Sequence, residues 1–210
     1  MRPNPRLGSA QRTPFLVHAT PASAKTALRL ELRALRRSRT RETPQAAELA
    51  AERLPADFLG RFAVVSGYRA MPGELDPWPV MQNLAAAGAA LVLPVVVERG
   101  TPLIFRRYFA GQALVPDAAG IIAPGPESEA LEPDLVIAPL LAFDTAGGRM
   151  GQGGGFYDRT LLALRGRGPV FVLGLAHAWQ EVARVPAEPH DQKLDAILTE
   201  KGYRLARKDF

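Results

Sequence analysis

Leu135-Val136-Ile137-Ala138 is followed, after a short connection, by Phe143-Asp144-Thr145-Ala146-Gly147-Gly148-Arg149-Met150-Gly151-Gln152-Gly153-Gly154-Gly155-Phe156-Tyr157-Asp158-Arg159. Four consecutive apolar residues read as a buried strand. Six of the nine residues from 147 to 155 are glycine, which suits neither a helix nor a strand interior, and a helix is predicted from about 157 to 164. Strand, glycine-rich loop and helix form the unit of open α/β sheets, which bind ligands outside the carboxyl ends of their strands. Glycine allows positive φ and close approach of the backbone to a ligand, and a helix N-terminus favours an anion. A flexible linker accounts for the glycines, but not for Arg149, Tyr157 and Asp158 framing them.

The alternation continues on both sides. Upstream, Leu28, Leu32 and Leu35 recur at i, i+4 and i+7, a helical stripe with Ser23 as its N-cap. At 100° per residue, Lys25, Arg29 and Arg36 fall within about 40° of one another beside that stripe. A second helix is predicted over 45–54, a strand over 62–66, and a helix over 77–87 with Gly88 at its C-terminal side. Strands follow at 91–93, closed by Pro94, and at 103–106. Four prolines (Pro116, Pro124, Pro126, Pro133) make 111–133 mostly loop. Further strands are predicted at 170–175 and, last, at 197–199. The fold class is therefore α/β: an open, largely parallel sheet with helices on both faces. It forms one domain over 23–210, preceded by a disordered, basic, proline-interrupted arm at 1–22.

Composition excludes several classes. The 210 residues are 47% hydrophobic and 22% charged, as in a globular protein. No stretch approaches the roughly 18 uncharged apolar residues of a membrane span. There is no cysteine, which removes disulfides, thiolate metal sites and a cysteine nucleophile. The net charge of +5 is uneven: residues 1–41 hold ten Lys/Arg against Glu31 alone, leaving 16 basic and 20 acidic residues, a net −4, for 42–210. A nucleic-acid-binding protein using the arm is the non-enzymatic alternative. It ranks last, because the arm has only Phe15 for stacking and the body is acidic. The Arg-rich start also resembles a transit peptide, so a mitochondrial location stands as the minor alternative to a cytoplasmic one.

Two familiar phosphate loops do not apply. Gly148 and Gly153 have Walker spacing without the following Lys-Ser/Thr, and Phe156 stands where a dinucleotide fingerprint requires glycine. Asp158 suits a magnesium ion held against phosphates, and equally a first-turn carboxylate facing the helix dipole. His18, His177 and His190 lack metal-pair spacing, and His177 reads as a strand-end packing residue.

The glycine element resembles the hallmark of the 5-formyltetrahydrofolate cyclo-ligase (methenyltetrahydrofolate synthetase) family: Ala142-Phe143-Asp144, then Arg149, the glycine loop and Tyr157-Asp158-Arg159. Lys25-Thr26-Ala27-Leu28-Arg29, Glu74-Leu75-Asp76, and Gln180, Pro186, His190-Asp191, Asp195 and Thr199-Glu200 match in the same order. The resemblance covers about 23–202. Phe156, Pro77, Ala89 and Gly154 depart from residues common in the family.

The resemblance implies the three-layer α/β fold shared with sugar-phosphate isomerases and CoA-transferases. It implies ATP- and Mg²⁺-dependent conversion of 5-formyltetrahydrofolate to 5,10-methenyltetrahydrofolate through a phosphorylated formyl group, releasing ADP and phosphate. Lys25 and Arg29 would reach the ATP phosphates. Arg149, Met150, Gly151, Gln152, Gly153, Gly154, Gly155, Phe156 and Tyr157 would complete the nucleotide site, with Lys25, Arg149 and Tyr157 as its catalytic groups. Glu74 would bind the folate, bordered by Gln152, Gly153, Gly154, Gly155 and Phe156. Asp158 and Asp191 would be the magnesium carboxylates, and His190 would orient Asp191. The implied partners are ATP and 5-formyltetrahydrofolate, with or without a polyglutamate tail, and neither nucleic acid nor membrane. A monomer is expected and an oligomer stays open. A phosphosugar isomerase or CoA-transferase-like enzyme is the rival within the same fold.

Overall fold

The computed structural model describes residues 21–39 and 42–206. The expected arm lies outside the described residues up to position 20. Its last two positions already belong to α1 (Pro21–Arg39), so Ser23 sits in the first turn of that helix and is not its N-cap. In chain order follow α2 (Ala46–Glu52), β1 (Val64–Ser66), α3 (Trp78–Ala86), β2 (Ala90–Val95) and β3 (Ile104–Arg107). Two small hairpins come next, β4 (Val115–Pro116) with β5 (Ile122–Ala123), and, after β6 (Leu135–Ala138), β7 (Ala142–Phe143) with β8 (Arg149–Met150). The chain closes with α4 (Phe156–Arg165), β9 (Phe171–Leu175), β10 (Ala196–Thr199) and β11 (Gly202–Leu205).

Seven strands form one sheet in the order β11-β10-β9-β6-β1-β2-β3. The five inner strands are parallel, and β3 and β11 pair antiparallel at the two edges. The period of two in a strand sends alternate side chains to opposite faces. Leu135 and Ile137 of β6 join Phe171, Leu173, Leu91 and Leu93 beneath Ala50, Val80, Met81 and Leu84 of α2 and α3. Val136 and Ala138 join Val172, Val92 and Ile197 on the other face, against Leu161 and Leu164 of α4. Helices therefore cover both faces, the three layers expected.

The region 111–133 is mostly loop as expected, apart from the two-residue strands of the β4–β5 hairpin. Two local expectations are corrected. The strand β10 is not the last, because β11 turns back beside it. Pro94 lies inside β2 and does not end it. The Gly67 N–H donates to Val92 O at 3.2 Å, so even-numbered residues of β2 face β1, which has ended by the level of Pro94. The missing proline N–H thus costs the sheet no hydrogen bond. Beyond β3 the chain returns along its outer side: Arg107 N donates to Glu129 O at 2.8 Å and Leu131 N to Phe105 O at 3.1 Å.

Helix α1 packs apart from the sheet. Leu32, with Leu28 beside it, meets Leu141, Ala142, Met150 and Val185, so α1 rests on the β7–β8 hairpin beyond the carboxyl end of β6. The leucine stripe is what docks it.

Candidate active site

A cavity of about 530 Å³ opens where β1, β2 and β6 end, lined by Tyr68, Pro94 and Leu140 just past or at those ends. This is where an open α/β sheet binds its ligands. The glycine loop forms one wall because Asp144 anchors it. Its Oδ1 accepts the N–H groups of Ala146 (3.0 Å) and Gly148 (2.8 Å), and its Oδ2 that of Val185 (2.8 Å). A Cβ on Gly148 would lie 2.5 Å from this carboxylate, so the turn admits no side chain there. Gly153, at φ +104°, holds a conformation that L side chains rarely adopt.

Helix α1 supplies cations to the facing wall. Lys25, 5% exposed, holds Glu188 Oε2 at 2.6 Å and Asp191 Oδ2 at 2.5 Å. Burial alone would lower the Lys25 pKa, but the hydrogen bonds to Asp191 and Glu188 and their charges outweigh it and raise the pKa above its ordinary value. Burial likewise pushes the Asp191 carboxyl up, while Lys25 and the Glu188 N–H pull it further down, below its ordinary value. Arg29 donates from Nε to Gly151 O at 3.1 Å, and Arg33 to both Oε1 (3.2 Å) and O (2.9 Å) of Gln152.

Arg149, in β8 at the start of the glycine loop, also lines the cavity. One guanidinium nitrogen lies 2.8 Å from Asp158 Oδ1, the group stands 5.6 Å from the centre of the Tyr157 ring, and its buried Nε has no hydrogen-bond partner among the described residues. Burial raises the Tyr157 pKa, a shift that the charge of Arg149 only partly offsets, so the phenol is neutral at physiological pH. Asp158 sits in the first turn of α4, and its Oδ1 also accepts Gln192 N at 3.1 Å.

The residues expected to bind nucleotide, folate or metal line this one cavity: Lys25, Arg29, Glu74, the run from Arg149 to Asp158, and Asp191. Met150 also plugs the apolar cluster beneath α1. The two expected metal carboxylates fall in different polar groups. Asp191 stands with Glu188 and His190, their ligand atoms within 4.8 Å of one another, and Asp158 is not among them. His190 Nε2 is 3.9 Å from Asp191 Oδ1, beyond hydrogen-bond range, so it does not orient that carboxylate. His177 is buried, stacked on Trp179 at 5.7 Å and off the cavity wall, a packing residue as expected.

Sequence reading missed Glu188, Arg33 and Tyr68, and placed Arg36 on the face of Lys25 and Arg29 without giving it a role. The pair Glu188 and Asp191 around Pro189 was the available signal: Asp191 N bonds to Glu188 O (3.0 Å) and Glu188 N to Asp191 Oδ2 (2.7 Å), a turn that aims both carboxylates one way. On the loop after β1, Glu74 Oε2 accepts Met71 N at 3.0 Å and Oε1 lies 3.4 Å from Arg36. The Tyr68 hydroxyl donates to Leu75 O.

Comparison with known proteins gives a consistent result. A sequence model of the 5-formyltetrahydrofolate cyclo-ligase family matches residues 21–200. The 5-formyltetrahydrofolate cyclo-ligase of Escherichia coli K12 is 36% identical over 141 residues, 64% of this chain and 76% of that one. The Haemophilus influenzae protein of the same name is 34% identical over 136 residues, 62% and 72% of the two chains. The structure of Aquifex aeolicus 5,10-methenyltetrahydrofolate synthetase superposes with a TM-score of 0.69 at 27% identity, covering 89% of this chain and 94% of the other.

Proposed function

The chain belongs to the 5-formyltetrahydrofolate cyclo-ligase family, an enzyme that forms 5,10-methenyltetrahydrofolate from 5-formyltetrahydrofolate, and from that premise we propose that its cavity couples this conversion to ATP through a phosphorylated formyl group. The formamide carbon on N5 is a poor electrophile. Transfer of the γ-phosphoryl group to the formyl oxygen turns that oxygen into a leaving group. N10 then attacks the carbon, and phosphate departs with the oxygen as the new ring closes, leaving ADP.

Phosphoryl transfer asks a protein mainly for positioning and charge neutralisation. The chain has the groups for both. Lys25 and Arg29 from α1, Arg149, and the backbone amides from Gly151 to Tyr157 surround the space for the phosphates. Tyr157, neutral, keeps a proton available as a donor, and Glu74 holds the folate across the cavity with Gln152 to Phe156 along its border. The observation that supports this most directly is the buried Nε of Arg149, which has no hydrogen-bond partner among the described residues. An orphaned N–H in such a place is costly unless a ligand completes it.

A magnesium ion fits the donors here, since it favours one or two carboxylates plus phosphate oxygens. Asp191 with Glu188 would hold it, while Asp158, paired with Arg149 outside that group, would join it only by turning its side chain, and when bound the ion would neutralise phosphate charge. We further assign 23–210 to one domain, a cytoplasmic location, and folate with or without its polyglutamate tail as substrate. The test is direct. Purified protein given 5-formyltetrahydrofolate, ATP and Mg²⁺ should develop the near-ultraviolet methenyl chromophore, and should not when ATP is omitted. Turnover without ATP would favour the isomerase or transferase reading.

A further inference from the structure

Arg36 shares the helical face of Lys25 and Arg29, yet it reaches a different part of the site. Its side chain is 8% exposed and extends to the loop after β1. Nε and one terminal nitrogen donate to Pro72 O at 3.1 and 2.8 Å, while the other terminal nitrogen lies 3.4 Å from Glu74 Oε1. The remaining oxygen of Glu74 is held by the Met71 N–H. The Glu74 side chain is itself only 6% exposed. A carboxylate buried to that degree depends on its hydrogen-bond and ion-pair partners to replace lost water and to fix its position. A planar guanidinium can brace a carbonyl and a carboxylate at once, which an ammonium cannot do with the same geometry.

We propose that Arg36 is a positioning residue for the folate side of the cavity, fixing the carboxylate of Glu74 and the Pro72 turn on which it stands. Given the assignment of Glu74 to folate, on which this rests, α1 aligns both halves of the reaction. Lys25 and Arg29 face the phosphates, and Arg36, two to three turns further along, sets the contact to the other substrate.

Steady-state kinetics of Arg36→Gln, Arg36→Lys, Glu74→Gln and the Arg36→Gln/Glu74→Gln pair, each with thermal unfolding alongside, test this. Arg36→Gln should raise the folate KM by roughly tenfold and leave the ATP KM within about twofold, a split that separates positioning from a loosened helix. Arg36→Lys should restore part of the loss. In the Glu74→Gln background, Arg36→Gln should add little, because both changes remove one contact. Equal rises in both KM values would overturn the proposal, since a displaced α1 also withdraws Lys25 and Arg29. So would effects that simply add. Should Arg36→Gln not fold, the same cycle is run with Arg36→Lys, which keeps the charge. An unchanged folate KM in Glu74→Gln would remove the assignment of Glu74 and this role together. A raised one with wild-type behaviour of the Arg36 variants would remove this role alone.

Discussion

The α2–α3 side of the sheet and the α1 side are held by different forces. Beneath α2 and α3 lies a cluster of twenty buried, almost wholly apolar side chains, while α1 rests on a cluster of five. Burial of one large apolar side chain contributes about 1.5–3 kcal/mol and is indifferent to pH. A cluster of five, one of them an alanine and only Leu32 contributed by α1, holds a 19-residue helix only partly. The rest falls to Lys25, Arg29, Arg33 and Arg36, each bound to a loop of the cavity wall. One side therefore carries stability, and the other spends its contacts on the site.

The contrast can be tested by variants that should affect one side only. The largest effect is expected on turnover: Arg149→Ala removes a preorganised cation and should lower kcat by about 10²–10³, measured by the methenyl chromophore under saturating substrates. A rate near wild type would make the glycine wall a mere linker. Leu84→Ala, fully within the α3 layer, should cost about 2–5 kcal/mol of stability. Its KM values should not move at temperatures where it stays folded. A KM change there would break the division.

Lys25→Ala comes next. It leaves Asp191 and Glu188 facing each other without their cation, so the ATP KM should rise by about tenfold, the scale of one lost charge-assisted contact. Titration should single out the same anchor. Asp191 is held below its ordinary 3.8, so its share of stability is present above that pH and is lost as pH falls through the lower, folded value. Lys25 is held above its ordinary 10.5, so its share is present below that pH and is lost as pH rises through its folded value. The melting difference between wild type and Lys25→Met should be level between about pH 5 and 9 and shrink at either extreme. A difference that grew on acidification would contradict the pairing. Arg33→Ala is the smallest: its bonds to Gln152 are exposed, and such contacts change affinity only a few-fold.

Most of the sheet was legible from the residues, and β6 matched the expected strand at both ends because its four-residue apolar run is too short for a buried helix. Elements resting on tertiary partners were not. Pro94 reads as a stop until β1 is seen to end before reaching it. The β7–β8 pair spans two residues on each side, too short for any periodicity to register. The site divided in the same way. The glycine loop and the phase of Lys25, Arg29 and Arg36 follow from local spacing. The destination of Arg36, a loop more than thirty residues away, depends on how α1 docks. Glu188 went unnoticed because an acid beside a proline is ordinary surface sequence until Lys25 is placed between it and Asp191.

The two ends of the sheet bear on a different hazard. An unpaired strand edge is a template for another chain, and proteins blunt such edges by covering them, shortening them or charging them. Here all three kinds of protection occur. Residues 129–131 run along β3 and occupy its outward amides and carbonyls. On the far side β11 is only four residues long, with Lys201 just before it and the exposed Arg204 within it. A protein that lines its ligand cavity with cations also guards its least protected edge with them. Replacing Arg204 with a β-branched apolar residue should therefore show itself in solubility before it shows itself in catalysis.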